Sequence, residues 1–272
     1  MDFRKTFIIF LILFILLFIR IHLEVNTIKV ESITINTKKI PKNKKIKIVH
    51  ISDLHNKKFS NNNIALLKKI ENLRPDIIAL TGDIIDAKTT NFRNVYSLLE
   101  DLMKINKDIY YVSGNHEWRN KKIEEFIYGL KSKEIKIINN SNEIYKYDNF
   151  SVNICGIDDP YTNHEDIEKA FSNIDKNNFT LLLSHAPNII FKSLDLLCDL
   201  VLCGHTHGGQ IRIPFIGGII APGQGLFPRY DKGLFKIKND ILLYINSGLG
   251  TSRLPIRFLN KSQISFITLT GE

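Results

Sequence analysis

Hydrophobic and polar positions divide this 272-residue chain into an N-terminal apolar run and a longer stretch of alternating short elements. Residues 7–19 are uncharged and apolar. Residues 28–35 alternate apolar and polar side chains, the pattern of a strand with one wet face, and 38–45 read as a basic, turn-containing connection. Strands are then expected over 46–51, 76–80 and 109–112, separated by amphipathic helices over 62–73 and 92–103 and followed by a helix over 121–131. Later strands are expected at 135–138, 151–157, 180–183 and 200–203, with helices at 165–174 and 189–197. Residues 235–237 and 241–245, on either side of Lys238-Asn239-Asp240, predict a hairpin, and 263–269 a final strand. Alternating elements followed by antiparallel strands imply an α/β or α+β sandwich of layered sheets. The division expected is an N-terminal element at 1–24, a linker with the first strand at 25–44, and one large domain at 45–272.

The run at 7–19 follows Arg4 and Lys5 and ends at Arg20. As a helix it spans about 20 Å against a hydrocarbon core of about 30 Å, with flanking cations able to snorkel to the interface. Residues 20–25 contain no small-residue pattern for cleavage. An uncleaved single-pass anchor in the cell membrane is therefore expected, in preference to a removed signal or a buried helix. The basic residues on the two sides of the run discriminate orientation weakly, and the folded body is assigned to the outer face.

Composition adds little to the pattern. Apolar residues at 44% and charged residues at 24% describe a globular chain. The net charge of +9 is spread over the sequence, densest at 38–47, and suits anionic lipid or a phosphorylated substrate as well as any polyanion. No basic groove with interleaved aromatics is legible, so nucleic acid is not expected as a partner. Cys155, Cys198 and Cys203 lack C-x-x-C spacing and cannot all pair, and Cys155 and Cys203 lie in apolar runs that read as core strands.

Five short polar groups each follow an apolar strand: Asp53-Leu54-His55, Gly82-Asp83, Gly114-Asn115-His116, Ser184-His185 and Gly204-His205-Thr206-His207. Loops beyond strand C-termini converge on one rim of a sheet, so these groups can meet. The pairs Asp53/His55 and His205/His207, each two apart, fall on one side of an extended segment. Carboxylate oxygen with neutral imidazole suits zinc, manganese or iron; Asp83 can bridge two ions and Asn115 offers a carbonyl oxygen. Taken singly, an aspartate after a strand is usually a helix cap and a lone histidine a satisfied polar residue. Recurrence in the same topological position five times outweighs those separate explanations.

The ordered set D-x-H, G-D, G-N-H-E, H and G-H-x-H over residues 45–269 resembles the calcineurin-like metallophosphoesterase superfamily. The stretch 204–210 (GHTHGGQ), the apolar N-terminus, and 247–250 running to 255–258 resemble its bacterial membrane-associated phosphodiesterase branch, with relatives acting on nucleotide-linked lipids. The resemblance implies a four-layer α-β-β-α sandwich carrying two divalent ions, Mn, Zn or Fe. It implies Asp53, His55, Asp83 and His207 at one ion and Asp83, Asn115, His185 and His205 at the other, with Asp83 as the bridge. It further implies that His116 is no ligand and protonates or stabilises the leaving group. Residues 260–263 (NKSQ) depart from an Asn-Pro-Glu-like segment of the relatives, which touches no ligand and leaves open only rim or substrate contacts.

Two divalent ions against Asp53 and Asp83 leave a positive site, and a hydroxide shared between them suits in-line attack at phosphorus. The function expected is hydrolysis of a phosphoester, by a membrane-tethered phosphodiesterase or pyrophosphatase with a substrate that can be lipid-linked. A phosphoprotein phosphatase or nuclease shares that chemistry, and a non-catalytic metal-binding sensor is the remaining alternative. Glu117 and Trp118 either fix the loop or line the mouth. Arg253 and Arg257 are read as solvated or salt-bridged, with a second phosphate site as the alternative, and Asp158-Asp159 as a turn before Pro160 rather than part of the site. His22, His50 and His164 are unassigned. Segment 208–230, rich in glycine, proline and apolar residues beside the G-H-T-H group, reads as an ordered loop or short hairpin that packs over the sheet, docks on a membrane or receives a lipid chain.

Overall fold

The computed structural model describes residues 3–193, 196–251 and 254–272. Helix α1 (Phe3–Asn26) leads into β1 (Ile28–Lys42) and β2 (Lys45–Ile51). Then come α2 (Ile64–Leu73), β3 (Ile77–Thr81), α3 (Arg93–Ile105), β4 (Ile109–Val112), the short α4 (Asn115–Trp118), α5 (Ile123–Ser132) and β5 (Lys136–Ile137). The second half holds β6 (Ser141–Tyr147), β7 (Phe150–Gly156), α6 (Ile167–Ala170), β8 (Phe179–Leu183), α7 (Ile189–Lys192) and β9 (Leu200–Cys203). Two small hairpins follow, β10 (Arg212–Ile213) with β11 (Gly217–Gly218) and β12 (Ile220–Ala221) with β13 (Gly225–Leu226). Strands β14 (Gly233–Lys236), β15 (Leu242–Ile245) and β16 (Ser262–Gly271) complete the chain.

Two six-stranded sheets, ordered β1-β16-β2-β3-β4-β5 and β14-β15-β9-β8-β7-β6, form the middle layers. Strands β2 to β5 are mutually parallel, as are β15, β9, β8 and β7. The strand sequences explain the layering. In β2, Ile46 and Ile48 face the space between the sheets, while Val49 and Ile51 face the helices. In β9, Leu200 and Leu202 enter the same intersheet core, while Val201 and Cys203 face the outer layer of α6 and α7. Strands apolar on both faces need cover on both, which the four-layer α-β-β-α sandwich supplies.

The elements expected from the sequence are largely present, with informative differences. The basic connection at 38–45 is instead mostly strand: β1 continues to Lys42 alongside β16, with a register break between Thr37 and Lys42. The expected helix at 165–174 shrinks to α6, capped by Asp166 accepting from the Lys169 amide at 3.0 Å. Of the helix expected at 189–197, α7 is formed; residues 194 and 195 lie outside the described residues and 196–197 are not helical. Strand β6, unanticipated because its exposed edge lacks a clean alternation, pairs antiparallel with β7. The hairpin expected near 235–245 is β14-β15. Cys155, Cys198 and Cys203 are free and buried, as small core residues should be.

Helix α1 is longer than the apolar run inside it, about 36 Å at 24 residues, which is enough to cross a bilayer. Its apolar side chains are exposed along its length, and Glu24 at its C-terminal end is buried against the domain.

Candidate metal centre

The two sheets bring their strand C-termini to a common rim, where their loops are cross-linked. The His185 ring Nδ1, after β8, lies 2.8 Å from the carbonyl of Thr81 at the end of β3. Asn246, after β15, donates to the carbonyl of His50 in β2 at 3.0 Å, and the Leu249 amide donates to Ser52 at 3.1 Å. All five polar groups singled out from the sequence lie on this rim.

They form two adjoining clusters, joined by a third group of His55, Asp83 and His116. In one, Asp53, His55 and His207 each present an atom within 4.8 Å of the others; in the second, Asp83, His185 and His205 do the same. His55 Nε2 is 3.2 Å from His207 Nε2, and His207 Nε2 is 3.5 Å from Asp53 Oδ1. His205 Nδ1 is 3.1 Å from His185 Nε2, which is 3.2 Å from Asp83 Oδ2. Asp83 Oδ2 also lies 3.7 Å from His55 Nε2, so this carboxylate stands between the clusters. Asn115 is buried beside them with Oδ1 lacking a hydrogen-bond partner.

The pairs do not converge as alternate residues of an extended segment. Asp53, His55, Asp83, His205 and His207 all have left-handed backbones, with φ between 50° and 69°. Five non-glycine residues in that region at one site are a local cost that the surrounding fold sustains, a concentration typical of functional loops. The approach is also close. A Cβ on Gly114 would lie 2.5 Å from Asp83 Oδ1, so only glycine fits behind that carboxylate.

The loop after β3 is held from beneath by Glu117. Its Oε2 accepts the amides of Asp83 and Gly114 at 2.8 and 2.9 Å, and its Oε1 those of Ile84 and Ile85 at 2.7 and 3.2 Å. Burial pushes its pKa up to about 7, but four amide donors leave both oxygens as acceptors, which suits the ionised form. Asp83 is itself oriented by the His116 amide, which donates to Oδ1 at 2.8 Å.

The electrostatics are those of a donor set. Burial opposes charge on Asp83, yet His185 and then His55 hold its carboxyl well below the usual range. Burial drives His207 well below its ordinary value and His205 down to about 3, so both rings are neutral acceptors. Buried His207 Nδ1, His205 Nε2, His55 Nδ1 and Asn115 Oδ1 have no hydrogen-bond partner. Converging carboxylates and imidazoles, with the unpartnered Asn115 amide oxygen beside them, fit a divalent cation.

A family model described as calcineurin-like phosphoesterase matches residues 46–209, the span that carries all five groups. The uncharacterized metallophosphoesterase YkuE of Bacillus subtilis (strain 168) is 32% identical over 254 residues, covering 91% of this chain and 87% of that protein. The chain belongs to the calcineurin-like phosphoesterase family. This phosphoesterase is also 26% identical over 261 residues to a Danio rerio transmembrane protein with a metallophosphoesterase domain, covering 89% of this chain and 57% of that one. Among solved structures, Haemophilus influenzae NAD nucleotidase superposes with a TM-score of 0.52 at 17% identity, covering 77% of this chain. The chain spans 46% of that nucleotidase, and the likeness concerns the fold. Family membership makes the protein a metal-dependent phosphoester hydrolase by class; the family uses divalent metals.

His116 stands beside the clusters, half-buried, with its ring edge-on to His55 at 4.6 Å between centroids. The Ala87 amide donates to its Nδ1 at 3.2 Å, which puts the proton of the neutral ring on Nε2. Burial lowers its pKa, with Asp83 pulling the other way. Asp86, which the sequence reading passed over, has Oδ2 3.2 Å from His116 Nδ1 and 3.7 Å from His55 Nδ1. The G-D-x-x-D spacing, Gly82 to Asp86, was the available signal.

The remaining candidates resolve individually. Glu117 fixes the loop. Trp118 donates from Nε1 to Asp158 Oδ1 at 2.7 Å and stacks on His164, while Asp159 accepts the Thr162 amide and hydroxyl, the turn expected before Pro160. Asp159 is also buried, with Oδ1 unpartnered. Arg257 corrects both readings made of it. It is fully buried and donates to the carbonyls of Ser247, Gly248, Gly250 and Asn260, so it neither faces solvent nor reaches a phosphate. Arg253 lies outside the described residues. Asn260 was also undervalued: its backbone N–H donates to Glu24 Oε2 at 2.8 Å and its side-chain Nδ2 to the His207 carbonyl at 2.7 Å, joining α1 to the loop that carries His207.

Proposed function

We propose that this phosphoesterase is a membrane-tethered phosphodiesterase or pyrophosphatase whose seven donors, Asp53, His55, Asp83, Asn115, His185, His205 and His207, hold two divalent ions. The observation that carries the reading is the pair of clusters meeting at Asp83, in which ring nitrogens face one another at 3.2 Å (His55 with His207) and 3.1 Å (His185 with His205). Asp53, His55, Asp83 and His207 are assigned to one ion, and Asp83, Asn115, His185 and His205 to the other. Manganese, zinc and iron suit this oxygen and nitrogen set.

A pair of such ions supplies Lewis acidity at the phosphoryl oxygens and acidifies an attacking water. The chain's own residues do the rest. Glu117 keeps the Asp83 loop rigid through four amides. His116 donates a proton to the leaving oxygen as the P–O bond breaks, with Asp86 orienting its ring. The seven donors and His116 share one rim, so ions held there and the proton donor would serve attacking and leaving groups without a large rearrangement.

The anchor reading assigns 1–24 to the membrane, 25–44 to the connection and first strand, and 45–272 to the catalytic domain on the outer face. Support comes from the exposed apolar length of α1 and from the transmembrane Danio rerio relative. A lipid-linked phosphodiester or diphosphate is then the substrate class presented to the site.

Metal analysis of the full chain in detergent, with chelation, re-addition and a screen of phosphomonoesters, phosphodiesters and nucleotide-lipid diphosphates, tests the reading. About two bound ions per chain and metal-restored diester or diphosphate hydrolysis are expected. No bound divalent metal together with no metal-restored hydrolysis would sink it.

A further inference from the structure

The two small hairpins that follow His207 expose apolar side chains with no intramolecular cover. Ile213, Phe215 and Ile216 stand out from the β10-β11 hairpin, and Ile220, Leu226 and Phe227 from the β12-β13 hairpin. Leu254 and Leu259 are exposed as well, and Leu259 lines the groove formed by Arg212, Ile213, Phe215 and Ile216. Exposed apolar groups gathered in one region mark a surface that is covered in use.

The position of this surface indicates what covers it. Leu259 adjoins Asn260, whose amide binds Glu24 at the end of α1. Lys57 further fixes the helix end, with Nζ donating to the Val25 carbonyl at 2.5 Å, and Ser262 Oγ donates to the same carbonyl at 2.8 Å. The apolar hairpin is thus tied to the point where a bilayer-length apolar helix leaves the domain. Arg229 lies exposed just beyond the second hairpin and forms no ion pair among the described residues, a charge that complements anionic headgroups. The second hairpin reaches the metal centre: Pro222, Gly223 and Gln224 share a cavity of about 130 Å³ with His205 and Tyr161.

We propose that the 213–227 loop is an interfacial membrane-docking surface, with Phe215, Ile216, Leu226 and Phe227 entering the headgroup and acyl boundary beside α1. This rests on the reading of α1 as a membrane anchor and deepens it. Docking by the loop, rather than tethering alone, fixes the domain's orientation and opens the mouth at His205 toward headgroup-level phosphoesters. Amphipathic surfaces of this kind bury apolar side chains about 5–10 Å deep, with basic residues at the headgroups.

Fluorescence tests it on the full chain reconstituted into phosphatidylglycerol/phosphatidylethanolamine vesicles containing brominated acyl chains. Trp118 is the chain's single tryptophan and supplies the background. Phe215→Trp and, separately, Leu226→Trp should give blue-shifted emission quenched by bromolipid. Ile144→Trp is exposed on β6, the edge strand opposite β14 in the second sheet, and should not be quenched. Absence of quenching at both 215 and 226 in inserted protein overturns the proposal, whether or not the protein hydrolyses any phosphoester. Self-association in detergent that is lost on Phe215→Ser/Phe227→Ser, without bromolipid quenching, also overturns it, because the cover would then be a second copy of the chain. A third readout is activity. The double serine variant should keep turnover of a water-soluble phosphodiester while losing roughly tenfold on a vesicle-embedded one, reflecting the lost interfacial contact.

Discussion

Asp86 Oδ2 lies 3.2 Å from His116 Nδ1, on the side of the ring where the Ala87 amide also donates. His55 beside it holds the Asp86 carboxyl below the usual range, so the group is ionised and available to orient a ring. A carboxylate in this position favours the doubly protonated ring that a general acid needs and sets its angle without touching the substrate.

Asp86→Asn should therefore retain metal and KM while lowering kcat by about 10- to 100-fold. The loss should be larger for substrates with poor leaving groups, since only they need a proton. His116→Gln should show the same leaving-group dependence more strongly. Equal loss on good and poor leaving groups would assign Asp86 to metal-site integrity through His55 instead.

Glu117→Gln replaces one acceptor oxygen by an amide that faces backbone N–H groups. The Asp83 loop then loses two of its supports. Metal affinity is expected to fall by about 10- to 100-fold, and the urea midpoint of the metal-free chain to drop as well. Titration calorimetry with Mn and Zn reads the first, and unchanged affinity would show that the loop holds Asp83 without Glu117.

The fold and the gathering of the five polar groups on one rim were legible because both rest on local pattern. Ile46, Ile48, Val49 and Ile51 announce a strand covered on both faces, and Asp53 and His55 follow it directly. What escaped depends on contacts distant in sequence. Arg257 reads as a surface cation until Ser247 and Gly250 close around it, and Asn260 gains its meaning from Glu24, 236 residues away. The left-handed backbones at Asp53 and His205 were equally hidden, because Asp and His tolerate that region without requiring it and only the crowded rim selects it.

His50 gives a pH signature independent of the metal. It is fully buried in β2, with Nε2 2.7 Å from Thr81 Oγ1, and burial lowers its pKa from 6.5 to about 3. Between those values the unfolded chain binds a proton that the native ring refuses, so stability falls as pH drops, by about 1.4 kcal/mol per unit. His50→Gln removes this slope. The variant should be less stable than wild type near neutral pH and close the gap by about pH 4.5, measured by urea unfolding in chelator. A gap that stays constant over that range would mean the ring charges without cost.

Arg257 carries the last expectation. Its guanidinium reaches Ser247, Gly248 and Gly250 through Nη2 at 2.6, 3.0 and 2.6 Å, Gly250 again through Nε at 3.0 Å, and Asn260 through Nη1 at 3.3 Å. Burial lowers its pKa to about 10, with Asp53 and Glu24 opposing, so the charge persists at neutral pH. The loop it gathers returns the Leu249 and Gly250 amides to the carbonyls of Ser52 and Asp53 at 3.1 and 2.6 Å, so the fork supports the first cluster through the backbone. Lysine has one nitrogen and cannot span four carbonyls. Arg257→Lys should cost about 3 kcal/mol or more in the metal-free chain and weaken metal binding in proportion. Arg257→Met separates charge from shape: it removes the buried cation but strands the same carbonyls, and should be at least as destabilised as the lysine variant. A lysine variant with wild-type urea midpoint and wild-type metal affinity would show that the loop closes without the guanidinium.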